Sequence, residues 1–147
     1  MARWSWLLDY EGLAGQGTMG QIGAGQYHDC RILAIEFMLR GTGLATRSLL
    51  FPLSLQPDTG VSSDDTTAVK RLPPDDGGTP TFGVRKNFVE EPDYHEIKYA
   101  LTVHQVNSRL WIPAGGPVLV PAGLLMGLRQ VSPFGAVPIR SQVYLED

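Results

Sequence analysis

The 147-residue chain predicts an all-β fold: an antiparallel β-sandwich, jelly roll or barrel of short strands with an extended N-terminal arm. Three observations point to it. The 17 glycines and 11 prolines are spread along the chain, and both residues penalise helix interiors. From Asp29 onward apolar residues recur mostly at every second position, the repeat of a pleated strand. Gly, Pro and Asp then cut the sequence into short runs, the punctuation of sandwiches and barrels. The length suits one domain, and 43% hydrophobic residues are enough for a core.

Residues 1–27 form the predicted arm. Trp4, Trp6, Leu7, Leu8 and Tyr10 make an apolar tip, and Gly12, Gly15, Gly17, Gly20, Gly23 and Gly25 follow it. Glycine loses more backbone freedom on ordering than any other residue. Such a segment is expected to order on a neighbouring surface, with its aromatic tip as the anchor. Residues 28–147 make the β domain. Arg31–Leu39 is apolar at nearly every position and reads as a strand buried on both faces or a short helix, ended by Gly41-Thr42-Gly43. Ala45–Leu55 is the next strand, and Pro52 places it at an edge or a bend.

Residues 56–80 read as a long, Asp- and Pro-rich loop holding a short strand near Thr66–Leu72. Phe82–Phe88 and Tyr94–Val106 are strands; in the second, Ile97, Tyr99, Leu101 and Val103 share the apolar face. Leu110-Trp111-Ile112 and Val118-Leu119-Val120 each precede a Pro-Ala-Gly unit, spaced for consecutive hairpin turns. Leu124–Val131, a turn at Ser132-Pro133-Phe134-Gly135, and an alternating strand from Ile139 to Leu145 complete the domain.

Chemistry is sparse. Gly15-Gln16-Gly17-Thr18-Met19-Gly20 matches a dinucleotide-loop pattern, but further glycines follow where a helix must start. His28-Asp29-Cys30 gathers reactive types, yet neighbours on an extended chain face opposite ways. Cys30 reads as a small buried hydrophobe, and a lone cysteine excludes an internal disulfide framework. His95 and His104 sit at an odd spacing that separates them on a regular strand, so no metal site is expected from them. Asp58, Asp64, Asp65, Asp75 and Asp76 lack the spacing of a calcium loop and read as turn residues. Glu90, Glu91, Asp93 and Glu96 read as a solvated acidic patch. Trp111 is the aromatic expected in the core. A net charge of -3 gives no footprint for nucleic acid. No apolar run approaches the roughly 20 residues that span a bilayer, and no signal peptide is recognised. Catalytic residues, metal ligands and cofactors are therefore all read as none, and the chain is expected not to be an enzyme.

In its size, its Trp-containing glycine-rich segment, its short-strand body and its dearth of reactive groups, the chain resembles the small decoration (cement) proteins of tailed bacteriophage capsids. The resemblance is architectural and has no diagnostic motif. It implies a structural virion protein on the capsid exterior, present in the host cytoplasm during assembly. Its partners would be the major capsid protein or other assembly subunits, and the subunit would be a homotrimer without nucleic-acid or membrane contacts. Trp4, Trp6, Leu7, Leu8 and Tyr10 would bind the neighbouring capsomer, clamping and stabilising the shell. Trimer contacts would draw on residues 56–80 or the Pro-Ala-Gly turns. The alternatives are a carbohydrate-type β-sandwich module recruiting Trp111, Tyr94 and Tyr99, or another virion part such as a tail or connector protein.

Overall fold

The computed structural model describes residues 2–10, 16–39, 46–55, 60–74, 77–104, 109–131 and 139–147. The strands are β1 (Arg3–Tyr10), β2 (Gln16–Gly23), β3 (Cys30–Leu39), β4 (Thr46–Leu55), β5 (Val61–Asp64), β6 (Lys70–Leu72), β7 (Gly83–Glu90), β8 (Glu96–His104), β9 (Arg109–Trp111), β10 (Val118–Val120), β11 (Leu124–Val131) and β12 (Ile139–Glu146). A 3-10 turn at Thr66–Ala68 separates β5 from β6. One sheet runs β10-β3-β12-β1-β6, with β9 also on β3, and the other runs β5-β7-β2-β11-β4-β8. Every pairing is antiparallel. Two open sheets face each other, so the fold is a β-sandwich and not a closed barrel.

The predicted arm is not an arm. Its first part, β1, lies inside the first sheet between β12 and β6, and its second, β2, lies inside the other between β7 and β11. Trp4, Trp6 and Leu8 point inward, and Trp6 and Leu8 are 0% exposed. Each indole N–H keeps a partner, as buried Trp requires. Trp4 Nε1 donates to Asp147 Oδ1 at 2.9 Å, and Trp6 Nε1 to Asp65 Oδ2 at 2.8 Å. Arg71 stacks over the Trp4 ring at 5.1 Å, and Phe82 meets that ring edge-on. Three of the five predicted anchors are therefore already used by the chain's own core. Tyr10 is partly buried against it, and only Leu7 stands outward.

The glycines have a packing reason. A Cβ on Gly20 would sit 2.6 Å from Trp6 Cη2 and 2.7 Å from Leu8 Cδ2 across the sandwich. The facing sheet needs a bare strand where the indole leans on it, so what reads as flexibility in the sequence is complementarity in the fold.

Other elements follow their patterns with local corrections. Residues 30–39 are a strand and not a helix. Pro52 sits in a central strand, between β11 and β8. It is tolerated because the β4–β8 register shifts there, from Phe51↔Tyr99 to Pro52↔Ile97. The same shift takes Ile97 off the core face and leaves it 59% exposed, while Tyr99 and Leu101 still pack on the core. The segment 56–80 contributes two short strands, β5 and β6, one to each sheet. The Pro-Ala-Gly units are not hairpin turns. The first joins β9 to β10, which both pair with β3, and the second carries the chain to the other sheet. Both form tight turns, closed by Gly116 N–H to Pro113 O at 3.2 Å and Leu124 N–H to Pro121 O at 3.0 Å. Gly123, with φ +77°, takes the left-handed position of the second. Trp111 is in the core as expected, stacked on Phe51 at 5.4 Å and edge-on to Tyr99 at 5.2 Å. The predicted breaks at Gly41-Thr42-Gly43 and Ser132-Pro133-Phe134-Gly135 lie outside the described residues.

Removing residues 1–27 is therefore expected to abolish folding, because it takes an interior strand from each sheet. Trp6→Ala should lower the unfolding free energy by about 3–5 kcal/mol, and Gly20→Ala by about 1–3 kcal/mol through overpacking. Urea unfolding followed by tryptophan fluorescence and by far-ultraviolet dichroism checks both. A cooperative transition at the wild-type midpoint for either variant would contradict the indole–glycine contact.

Candidate functional site

The outer face of the β2–β11–β4 region collects the most chemistry. Its geometry starts from the open edge of β2. Pairing between β7 and β2 ends at Lys86, and Asn87 follows in the left-handed region with φ 56°, which Asn tolerates. Past that point no strand of the described residues pairs with β2 on its β7 side, and a side chain covers the gap. Thr18 N–H donates to Glu91 Oε1 at 2.7 Å, and Thr18 Oγ–H donates to Glu91 Oε2. The carboxylate thus stands in for a missing strand partner.

Tyr94 lies over this edge, its hydroxyl hydrogen-bonded to Thr18 Oγ. Its ring occupies the place above Gly127, where a Cβ would come within 2.6 Å of the hydroxyl oxygen. Burial foremost, reinforced by the Glu91 charge, pushes the phenol up to about 12. It therefore stays protonated at neutral pH and donates its hydrogen bond to Thr18 Oγ, closing a chain from Tyr94 through Thr18 to Glu91.

Arg129 completes the group. An extra residue of β2, Met19, falls between the pairs Leu128↔Gly20 and Arg129↔Thr18, so Arg129 of the regular strand β11 stands between Thr18 and Leu50, with Leu128 in the core. The guanidinium carbon is 5.9 Å from the Tyr94 ring centroid, within cation–π range. Leu50, Pro52, Tyr94, His95, Glu96, Ile97 and Arg129 line a cleft of about 440 Å³.

A larger cleft, about 770 Å³, lies at the other end of β2, β7 and β11. Its polar walls are mostly committed to the fold. Thr66 Oγ1 donates to Asp64 and accepts from Val84 N–H. Thr81 donates twice to Asp147, and Arg85 donates to Ser62. Gln21, with no exposed surface, has no hydrogen-bond partner for its amide among the described residues.

The residues singled out from sequence take structural places. Cys30 is buried and free; burial first, and the Asp147 charge second, push its thiol up to about 12. His28 is exposed, and Asp29 accepts from Ala122 N–H at 2.9 Å, tying β3 to the second Pro-Ala-Gly turn. His95 anchors by its backbone N–H to Leu53 O at 3.0 Å, and the His104 side chain lies outside the described ones. Asp64 accepts from both the backbone and the hydroxyl of Thr66. Asp65 takes the Trp6 indole and Lys86 Nζ at 3.2 Å. Asp58, Asp75 and Asp76 lie outside the described residues. Among the described residues no three His, Cys, Asp or Glu converge on a possible metal position. Trp111 and Tyr99 meet edge-on against the core and Tyr94 is folded over β11, so these aromatics form no exposed coplanar platform. Arg129 was not singled out in the sequence and Thr18 entered only within the glycine-rich motif, because neither has a local pattern of its own; the pairing of β2 with β11 and the edge of β2 make them notable. Comparison with protein-family models, with curated proteins and with solved structures finds no match.

The two groups raised furthest set an alkaline limit on stability. Cys30 rises from an ordinary 9.0 and Tyr94 from 10.0, each to about 12. The native state therefore favours their protonated forms. Their contribution is whole below about pH 9 and is lost as the pH climbs through the native values. The urea midpoint should hold level up to about pH 9 and fall steadily above it. In Cys30→Ala and Tyr94→Phe that fall should be shallower. Identical slopes in all three proteins would contradict the assignment. Cys30 should also resist thiol reagents at neutral pH until urea unfolds the chain.

Proposed function

We propose that the chain is a structural, non-enzymatic subunit that coats the outside of a phage capsid as a decoration protein, associating with its own copies as a trimer. The observation that carries this reading is an apolar edge on the sandwich. β9 and β10, each three residues long, line up end to end along β3. They present Leu110 and Leu119, with Ile112 just past the end of β9, and these are 55%, 43% and 65% exposed. Leu110 pairs opposite Glu36 and Leu119 opposite Arg31, so at about 3.4 Å per residue they span roughly 17 Å of edge.

The character of the edge supports side-chain docking over strand addition. Short edge strands interrupted by proline resist pairing with a foreign strand, and Pro113, Pro117 and Pro121 punctuate this one. Exposed aliphatics on such an edge are suited to being covered by another folded surface. The edge includes both Pro-Ala-Gly turns, the segments expected to contribute to a trimer. In this form of the reading the partner-binding role passes from Trp4 and Trp6, which fill the core, to the β9–β10 edge. The major capsid protein or another virion subunit is then met by a rigid surface and not by an arm.

Light scattering over a dilution series tests this directly. The wild-type chain should give the mass of a trimer. Leu110→Lys combined with Leu119→Lys should give a monomer with unchanged far-ultraviolet dichroism, since both side chains already face solvent. A wild-type monomer at every concentration, or a trimer indifferent to the double substitution, would overturn the proposed edge.

A further inference from the structure

We infer that the cleft beside Arg129 binds a small organic monoanion, a carboxylate carried on an apolar body. Arg129 is partly buried, forms no ion pair among the described residues, and has an Nε–H that is shielded from solvent without a hydrogen-bond partner. A desolvated cation is costly unless an anion or a hydrogen-bond acceptor compensates it. The Tyr94 ring offers a cation–π contact at 5.9 Å, which leaves the Nε–H without a hydrogen-bond partner among the described residues.

The nearby carboxylates are committed elsewhere. Glu91 receives both donors of Thr18, and Glu96 pairs with Lys98 at 3.0 Å. Among the described residues no acceptor meets the Arg129 Nε–H, and a planar carboxylate matches the guanidinium fork in two parallel hydrogen bonds. The remaining walls define what the carboxylate is attached to. Leu50, Pro52 and the exposed Ile97 give the cleft an apolar side, and about 440 Å³ falls in the size range of small-molecule sites. A dianion such as phosphate fits less well, because one guanidinium faces it while the Glu96 carboxylate stands on the same rim. In the larger cleft the Arg85 guanidinium is bonded to Ser62. This site lies on the opposite sheet from the β9–β10 edge, and its occupancy is read independently of the oligomer mass.

The test is a titration of the intact, isotope-labelled chain with sodium hexanoate and, separately, with sodium phosphate, followed by proton–nitrogen correlation spectra. Hexanoate should shift the Arg129 Nε–H signal and the backbone signals of His95 and Ile97 along one saturable curve. Arg129→Gln should weaken binding about tenfold or more. Ile97→Asp, a change at an exposed position that leaves the core untouched, should weaken it too by placing a negative charge on the rim. Absence of a saturable shift with hexanoate, unchanged affinity in both variants, or tighter binding of phosphate than of hexanoate would each overturn the inference.

Discussion

The fold depends on the insertion of two tryptophans from β1 between the sheets. β1 is held by β12 along its whole length and by β6 at its start, so its inward side chains are fixed before any loop is considered. Trp4 and Trp6 then draw in the rest. Their indole N–H groups recruit Asp147 and Asp65, and Asp65 in turn holds Lys86. Asp147 holds Thr81 by two hydrogen bonds. Burial alone disfavours the Asp147 carboxylate, but the hydrogen bonds from Thr81 and Trp4 outweigh it and keep its acidity below the usual range. Buried apolar area and satisfied polar groups are thus built from the same pair of side chains.

The facing sheet is shaped by the same constraint. A Cβ at Gly20 would meet Trp6 and Leu8, and one at Gly17 would meet the Tyr10 hydroxyl at 2.6 Å. With bare positions in β2, large side chains of β1 can reach the sheet opposite. Register shifts complete the fit, one between Leu128 and Arg129 and another between Phe51 and Pro52. Each resets which side chains face outward. The second turns Ile97 outward beside Arg129 and Pro52 around one cleft, so the candidate site is in part a by-product of how the sheets accommodate an irregular strand.

Much of the β domain is legible in local pattern. The strands Val118–Val120 and Leu124–Val131 match their sequence bounds, and β12 alternates as Ile139, Ser141, Val143 and Leu145 imply. Trp111 belongs in the core because an apolar run surrounds it. The N-terminal segment misleads for a physical reason. Glycine spacing in one strand records the size of side chains on another, and a single sequence does not show which strand lies opposite. The exposed edge at Leu110 and Leu119 is hidden in the same way, since β9 and β10 look like the arms of consecutive hairpins until both are seen on β3.

The sequence by itself determined the class: turn-forming residues at short intervals and a two-residue apolar repeat leave little besides an antiparallel β fold. It also determined which side chains are large enough to organise a core. Only the tertiary structure decided where those side chains go, that two open sheets form instead of a barrel, and that Arg129 stands partly buried without a counter-charge among the described residues. Strand propensity and periodicity are local properties of the chain. Partner strand, register and charge compensation are set by residues far away in sequence, and these come together only when the sheets close.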